Sequence, residues 1–514
     1  MHSMLHDFQN KRVTVIGLGL YKQGSGIEAV KFFLRHGAIV TVTDLRSAKD
    51  LAESVEEVVR YWTKLGKAAR QQGGKVAKKK LTFILGKHRD EDFKNADVVF
   101  QNPSVPAESS YLHLAAKRGV PIVNDWSLFL SRYAPKLFIG VTGTRGKSTT
   151  TALIHEMLKK EYSHPALAGG ERGKVLLAGN LGVSPLAFID SYTGEPIVAE
   201  LSSWLLHHFS TIKKSPNIAV VTNIMNDHMD KYRSMREYIA DKENVFRFQR
   251  SEKDSPLLGK NCPSSAVVLN YDNSVTRGMA KRARGKVLWF SVKKHVPRWV
   301  PFEKILLQGE HNRVNALAAA SAAEAAGVSR VHIMDVLKTF KGLPNRLQLV
   351  RTVRGVQYYN DTTATTPEAT IAALKTLHHD VIASKAKQSH GAVQRSPHRL
   401  TAPRDDKHLV LIAGGADKKL EYRELAKYVK QYCKAVVLLP GTATKKMVRE
   451  FQGQSLTART VLETANSMRQ SVTKACSFAR AGDIVLLSPG AASFGLFRNE
   501  FDRGEQFVDA VKKV

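Results

Sequence analysis

The chain has 514 residues, of which 43% are hydrophobic and 24% charged, and it carries a formal charge of +32; its length exceeds what one core supports, so three or four domains are expected. Three cysteines, Cys262, Cys433 and Cys476, lie far apart with no C-x-x-C pair, which indicates neither a disulfide framework nor a zinc site. No apolar run is long enough to span a bilayer and no leader pattern opens the chain, so a cytoplasmic protein without membrane insertion is expected.

A strand over Arg12 to Ile16, a glycine turn over Gly17 to Gly26, a helix through His36 and a strand over Ile39 to Thr43 ending in Asp44 read as a βαβ unit. An acid at the end of a second strand commonly takes a ribose hydroxyl, but the third glycine of G-x-G-x-x-G would fall on Lys22. A turn serving only helix and sheet packing is the alternative. Strands at 81–85, 98–101 and 121–124 follow, and a first domain closes near residue 131. Next comes Leu137 to Thr150, an apolar strand running into G-x-x-G-x-x-G-K-S, with glycines at 140, 143 and 146. Backbone amides of such a loop, the positive end of the following helix, a lysine charge and a hydroxyl for Mg²⁺ make a cradle for a nucleoside triphosphate. Further strands are expected at 196–199, 218–222 and 267–269, then an alanine-rich helix over Val314 to Ala326. A last αβ segment holds strands near 357–359, 409–413, 435–439 and 484–487. This alternation predicts an α/β fold of parallel sheets covered on both faces.

The charge raises nucleic acid as a partner. Two of the most basic tracts, Lys64 to Lys80 and Ala383 to Lys407, interrupt the strand and helix pattern and read as solvated, disordered insertions, and no nucleic-acid motif accompanies them. Small-molecule substrates are therefore expected.

Ligands of open α/β sheets sit beyond the carboxyl ends of the strands. There the strand before Glu200 delivers Glu200-Leu201-Ser202-Ser203, and the one before Asn223 delivers Asn223 to Asp230 with His228. Ser148 and Glu200 suit Mg²⁺, and His228 suits a second ion or an acidic substrate. Taken alone, Glu200 could equally cap a helix and His228 could be structural.

The phrases GVTGTRGKSTTT, AGNLGVSPL, VAELSSWLL, NIMNDHMDKY, GEHNRVNALAA, LPNRLQLV, NDTTATTPEAT, AGGADKK and SPGAASFGLFRNEFDRG, in this order, resemble the Mur ligases of peptidoglycan synthesis over nearly the whole chain. The resemblance implies three domains: a Rossmann-like UDP-sugar-binding domain over 1–131, a central P-loop-type ATP-binding domain over 132–344 and a Rossmann-like amino-acid-binding domain over 345–514. It implies a monomeric ATP-dependent amide ligase that joins D-glutamate to UDP-N-acetylmuramoyl-L-alanine through an acyl phosphate, with ATP and Mg²⁺. Gly143, Thr144, Arg145, Gly146, Lys147, Ser148 and Thr149 would hold the phosphates, and Asn312, Asn315, Arg346 and Asp361 the adenine and ribose. Ser148, Glu200, His228 and Lys242 would serve the metal positions, Lys242 as the lysine that the family carbamylates; otherwise Lys242 would be a surface helix lysine paired with a neighbouring acid. Leu20, Tyr21, Asp44, Arg46, Asn180 and Ser202 would contact the sugar nucleotide, and Thr365, Lys418 and Ser493 the D-glutamate carboxylates. The rivals are another Mur ligase or a folylpolyglutamate synthase, which shares the central motifs, and a nonhydrolysing nucleotide- or RNA-binding protein.

Overall fold

Short runs rich in Val, Ile and Leu form strands because branched side chains pack well on a pleated surface, and three sheets are built this way. The computed structural model describes residues 7–20, 24–71, 80–106, 108–163, 174–226, 232–250, 265–294, 299–300, 302–307, 309–389, 408–453, 460–493 and 495–514. The first sheet contains β1 (Arg12–Ile16), β2 (Ile39–Asp44), β3 (Leu81–Leu85), β4 (Val98–Gln101) and β5 (Ile122–Val123), in the order β3-β2-β1-β4-β5, all parallel. The second contains β6 (Phe138–Thr142), β7 (Leu176–Gly179), β8 (Ile197–Glu200), β9 (Ile218–Val221), β10 (Ala266–Asn270) and β11 (Lys286–Phe290). Its order is β11-β10-β9-β6-β8-β7, again all parallel. Every residue of β6, β8, β9 and β10 is buried, as expected for strands covered on both faces. The chain leaves β6 toward β7 and β8 on one side and β9 on the other, so β6 sits at a topological switch point, where such sheets open a crevice.

The third sheet holds β12 (Gln348–Val353), β13 (Val356–Asn360), β14 (Leu409–Gly414), β15 (Cys433–Leu439), β16 (Val461–Thr464) and β17 (Ile484–Leu487), in the order β12-β13-β17-β14-β15-β16. One pair departs from the all-parallel expectation: β12 and β13 run antiparallel. Only Arg354 and Gly355 join them, with φ of 49° and 78°, and a two-residue turn of this handedness returns the chain as a hairpin. The first two sheets belong to one compact unit, Met1–Ile305 with His311–Phe340, and the third to another, Leu306–Glu310 with Lys341–Val514.

Within the first unit the two sheets share an apolar seam. Trp126, on the helix Asp125–Arg132, stacks on Phe138 of β6 with centroids 5.0 Å apart, and Phe129 packs against Phe188 and Tyr192 at 5.5 and 5.1 Å. Polar links cross it too: the Asp125 carboxylate accepts from Ser25 Oγ (2.6 Å) and Ser184 Oγ (3.1 Å), and Arg35 donates to Asp190 Oδ2 (2.5 Å) and to the Leu186 carbonyl (2.7 Å). Burial raises the pKa of Asp125, against the hydrogen bonds from the two hydroxyls and the Trp126 amide.

The basic tracts differ from the expectation of interruptions. Residues 64–71 are the end of the helix Ala52–Gln71, and residues 383–389 are the end of the helix Pro367–Ser389. Residues 72–79 and 390–407 lie outside the described residues. No helix among the described residues is long and apolar enough to cross a membrane.

Candidate active site

The loop after β6 is shaped by contacts that leave no room for side chains at two glycines. A Cβ on Gly143 (φ 144°) would stand 2.0 Å from Thr222 Oγ1, and one on Gly146 (φ 83°) would stand 2.0 Å from Asn315 Oδ1. Thr222 and Asn223, just past β9, hold the loop from the side. The Thr144 amide donates to the Asn223 carbonyl (2.8 Å) and the Arg145 amide to Asn223 Oδ1 (2.9 Å), while the Arg145 carbonyl accepts from Thr222 Oγ1 (2.6 Å) and Asn223 Nδ2 (3.1 Å). Thr144 Oγ1 accepts from the Met225 amide (2.9 Å) and lies 3.1 Å from Tyr238 Oη. Gly146 then caps the helix Lys147–Tyr162, whose first-turn amides have no intrahelical acceptors, so the loop ends on a positive dipole. Lys147 Nζ folds back onto the Thr144 carbonyl (3.1 Å), Ser148 is buried, Thr149 is half-buried and Arg145 is exposed.

Two charged side chains flank this loop. Glu200 closes β8 in register with Val141 of β6 and is only 5% exposed. Lys242, on the helix Met235–Arg247, is 2% exposed. Its Nζ donates to the Gly143 carbonyl (2.9 Å) and Thr142 Oγ1 (3.5 Å) and lies 4.7 Å from the centre of the Tyr238 ring. This corrects the surface-lysine alternative: its amine is held under the first turn of the loop. His228 lies outside the described residues, with its neighbours 227–231. The sequence reading passed over Thr222 and Tyr238; the signal available for Tyr238 was its position one helical turn before Lys242, on the same face.

Asn312 and Asn315 sit on the helix Glu310–Ala325, where Asn315 Nδ2 donates to Asn312 Oδ1 (3.2 Å) beside Gly146. In the first sheet, the Asp44 carboxylate accepts from the Leu18 amide (2.9 Å) and the Arg46 amide (2.9 Å), with Arg46 Nη1 3.6 Å away. It therefore shapes the turn after β1. Leu20 lies on that turn, and Tyr21 is outside the described residues. The Asn180 amide donates to the Glu200 carbonyl (3.0 Å), and Ser202 Oγ caps the helix Ser203–His207 through the Leu205 amide (3.3 Å).

In the second unit the three residues expected at the acceptor amino acid are brought together by backbone pairing. The Gly490 amide donates to the Ala364 carbonyl (2.9 Å), and Ala416 and Ala492 form an isolated antiparallel bridge. Thr365, Lys418 and Ser493 adjoin these contacts, and Lys418 Nζ donates to Thr365 Oγ1 (3.1 Å). Asp361, at the end of β13, accepts from the Leu347 amide (3.1 Å) and Ser488 Oγ (2.9 Å). Burial pushes its pKa up to about 7, against those hydrogen bonds and the nearby Arg346.

A glycine loop on a helix N-terminus at the switch point of a parallel sheet, with a buried acid and a buried lysine beside it, defines an α/β protein built to bind nucleotide phosphates. Residues 141–323 match the family model of the Mur ligase middle domain. The chain is 36% identical, over 97% of both chains, to the UDP-N-acetylmuramoylalanine--D-glutamate ligase of Roseiflexus sp. (strain RS-1). It is 32% identical, over 99% of both chains, to the protein of the same name from Borreliella afzelii (strain PKo). The chain belongs to the Mur ligase family. Its fold is like that of UDP-N-acetylmuramate-alanine ligase MurC from Thermotoga maritima, with a TM-score of 0.54 and 17% identity over 98% of this chain and 100% of that one. MurF from Acinetobacter baumannii gives the same TM-score at 13% identity, over 97% and 93%.

Proposed function

We propose that this chain is an ATP-dependent ligase that adds D-glutamate to UDP-N-acetylmuramoyl-L-alanine, releasing ADP and phosphate, in peptidoglycan synthesis. The observation that carries the reading is the meeting, at the C-terminal ends of β6, β8 and β9, of a phosphate-binding loop, the buried Glu200 and the buried Lys242. A free carboxylate is a poor acyl donor, so the γ-phosphoryl group passes first to the carboxylate of the nucleotide-linked alanine. The amine of D-glutamate then attacks the acyl carbon, the amide forms and phosphate leaves. The loop amides from Gly143 to Thr149 and the Lys147 ammonium bind and orient the β- and γ-phosphates, fixed donors that need no rearrangement as charge moves.

The donors fit Mg²⁺. Ser148 and Glu200, both buried beside the phosphate loop, offer hard oxygen ligands. One hydroxyl, one carboxylate, phosphate oxygens and water are the habitual shell of this ion. When bound, it would withdraw charge from the transferring phosphoryl group. Lys242, if carbamylated, would offer an anionic oxygen to a second metal position, for which His228 would be a further ligand. Asn312, Asn315, Arg346 and Asp361 take the adenosine. Leu20, Tyr21, Asp44, Arg46, Asn180 and Ser202 take the sugar nucleotide within residues 1–131 and the adjoining part of the 132–344 domain. Thr365, Lys418 and Ser493, in 345–514, take the acceptor, a cation and hydroxyls being suited to its two carboxylates. The enzyme works as a cytoplasmic monomer.

The test is phosphate release from ATP and Mg²⁺ with UDP-N-acetylmuramoyl-L-alanine, comparing D-glutamate, L-glutamate, D-aspartate and no amino acid. Release that requires both the sugar nucleotide and D-glutamate is expected. Release with another amino acid instead would keep the ligase and overturn the acceptor; no release with any would overturn the ligase.

A further inference from the structure

Arg503 is fully buried, at 0% exposure, in the first turn of the helix Glu500–Lys512. Its guanidinium donates to Thr362 Oγ1 (3.0 Å, from Nε), to the Thr362 carbonyl (2.8 Å, from Nη2) and to the Ala491 carbonyl (3.2 Å, from Nη1). All three acceptors are neutral. Buried cations are ordinarily paired with an acid, and the positive end of a helix disfavours a cation further, so the position is doubly adverse. Burial lowers the pKa of Arg503 to about 10, with Glu500 opposing only through space, which leaves the group charged at neutral pH.

What the guanidinium grips is informative. Thr362 begins the segment that leads to Thr365, and Ala491 begins the one that leads to Ser493. Thr362 Oγ1 in turn donates a hydrogen bond to the Glu500 carbonyl (2.8 Å), so the helix, the first loop and the second are tied through one planar fork. The fit is close: a Cβ on Gly504 would come within 2.3 Å of Asn345 Oδ1 and 2.7 Å of Thr362 Cγ2.

We infer that Arg503 is a positioning and specificity-determining residue for the acceptor amino acid: its fork sets the separation of the Thr365 and Ser493 loops, and its charge, which no acid meets at hydrogen-bonding distance, adds a positive potential beside them that selects an acceptor with an acidic side chain. The inference rests on the ligase reading and adds the source of its preference for a dianionic acceptor.

The experiment measures phosphate release by the full chain with D-glutamate and with D-glutamine, which is matched in shape and lacks the side-chain charge. Arg503→Lys keeps the charge and loses the fork. It should raise KM for D-glutamate while retaining the preference for D-glutamate over D-glutamine. Arg503→Met loses both, and the preference should fall by about tenfold, the effect of one charge acting across a protein interior. Thr362→Val, which removes one acceptor and the Glu500 link, should raise KM for D-glutamate and leave KM for the sugar nucleotide unchanged. Melting curves accompany each variant. An unchanged preference in folded Arg503→Met overturns the inference. Should that variant fail to fold, unchanged KM for D-glutamate in both Arg503→Lys and Thr362→Val overturns it instead. A wild-type protein that uses a different acidic amino acid would overturn the D-glutamate reading and leave the prediction for Arg503 to be read with that acid; one that prefers a neutral acceptor would overturn both.

Discussion

The phosphate loop and the loops proposed to take the acceptor would both hold anions, but they are assembled from different materials. Around Gly143 to Thr149 the loop backbone is held mainly by neutral groups, with the buried Glu200 and Lys242 at its flanks: Thr222, Asn223, Tyr238 and Asn315 hold it by hydrogen bonds and steric contact, and the lysines lie against its carbonyls. Around Thr365 and Ser493 the scaffold includes two buried ionisable groups, Asp361 and Arg503, and each is met only by neutral partners at hydrogen-bonding distance. A loop that must fit one invariant group, a polyphosphate, is served by fixed amides and tight glycines. A pocket that must choose among amino acids is served by charges whose field reaches beyond contact distance.

Four substitutions would break or sharpen that contrast. The largest effect is expected at Lys147, the phosphate loop's point charge: Lys147→Met should lower the rate of phosphate release by about 10²–10³-fold while the melting temperature holds, because the scaffold does not depend on it. Gly146→Ala strikes the scaffold itself. Both the left-handed φ and the clash with Asn315 should destabilise the protein by about 1–3 kcal/mol and weaken nucleotide binding. Adding Asn315→Ala should recover only the clash, leaving a residual loss visible by calorimetry.

Third is Asp361. Since burial lifts its pKa to about 7, from an ordinary value near 4, the native state binds the proton more tightly than the unfolded state. The contribution of this residue to stability is therefore greatest at low pH and is lost as pH rises toward and through 7. Asp361→Asn cannot ionise and accepts fewer hydrogen bonds, so it should melt below the wild type at pH 5, with the gap narrowing by pH 8. A gap that widens with pH would mean that the carboxylate is stabilised in its charged form. The smallest effect is expected at Arg46, which is half-exposed and 3.6 Å from Asp44. Arg46→Ala should change stability by no more than about 1 kcal/mol and reveal itself in KM for the sugar nucleotide.

The sequence was most legible where one residue type does one job. Buried strands such as β6 and β14 are continuous apolar runs, and the glycines of the phosphate loop announce a backbone that no other residue accepts. Less legible were the strands at sheet margins. β11 and β16 mix apolar with charged residues, and β12 alternates weakly before its Arg354-Gly355 turn, because a strand at a sheet's edge has fewer neighbours to satisfy. Lys242 could be matched to a motif, but its burial beneath Gly143 depends on Tyr238 and on a helix that meets β6 only in three dimensions. Arg503 stood inside a recognised phrase and gave no local sign of being buried, since its three acceptors lie at Thr362 and Ala491 and two of them are main-chain carbonyls.

The aromatic seam joining the first two sheets also bears on how the chain can be divided for expression. A fragment ending at Arg132 would keep the complete first sheet and its helices yet leave the faces of Trp126 and Phe129 in water, because Phe138, Phe188 and Tyr192, which cover them, come from the chain beyond. It would also strand the Asp125 carboxylate with one of its two hydroxyl donors. The expected product is a sticky, self-associating piece, so a minimal soluble truncation has to run on past Tyr192 and include the second sheet.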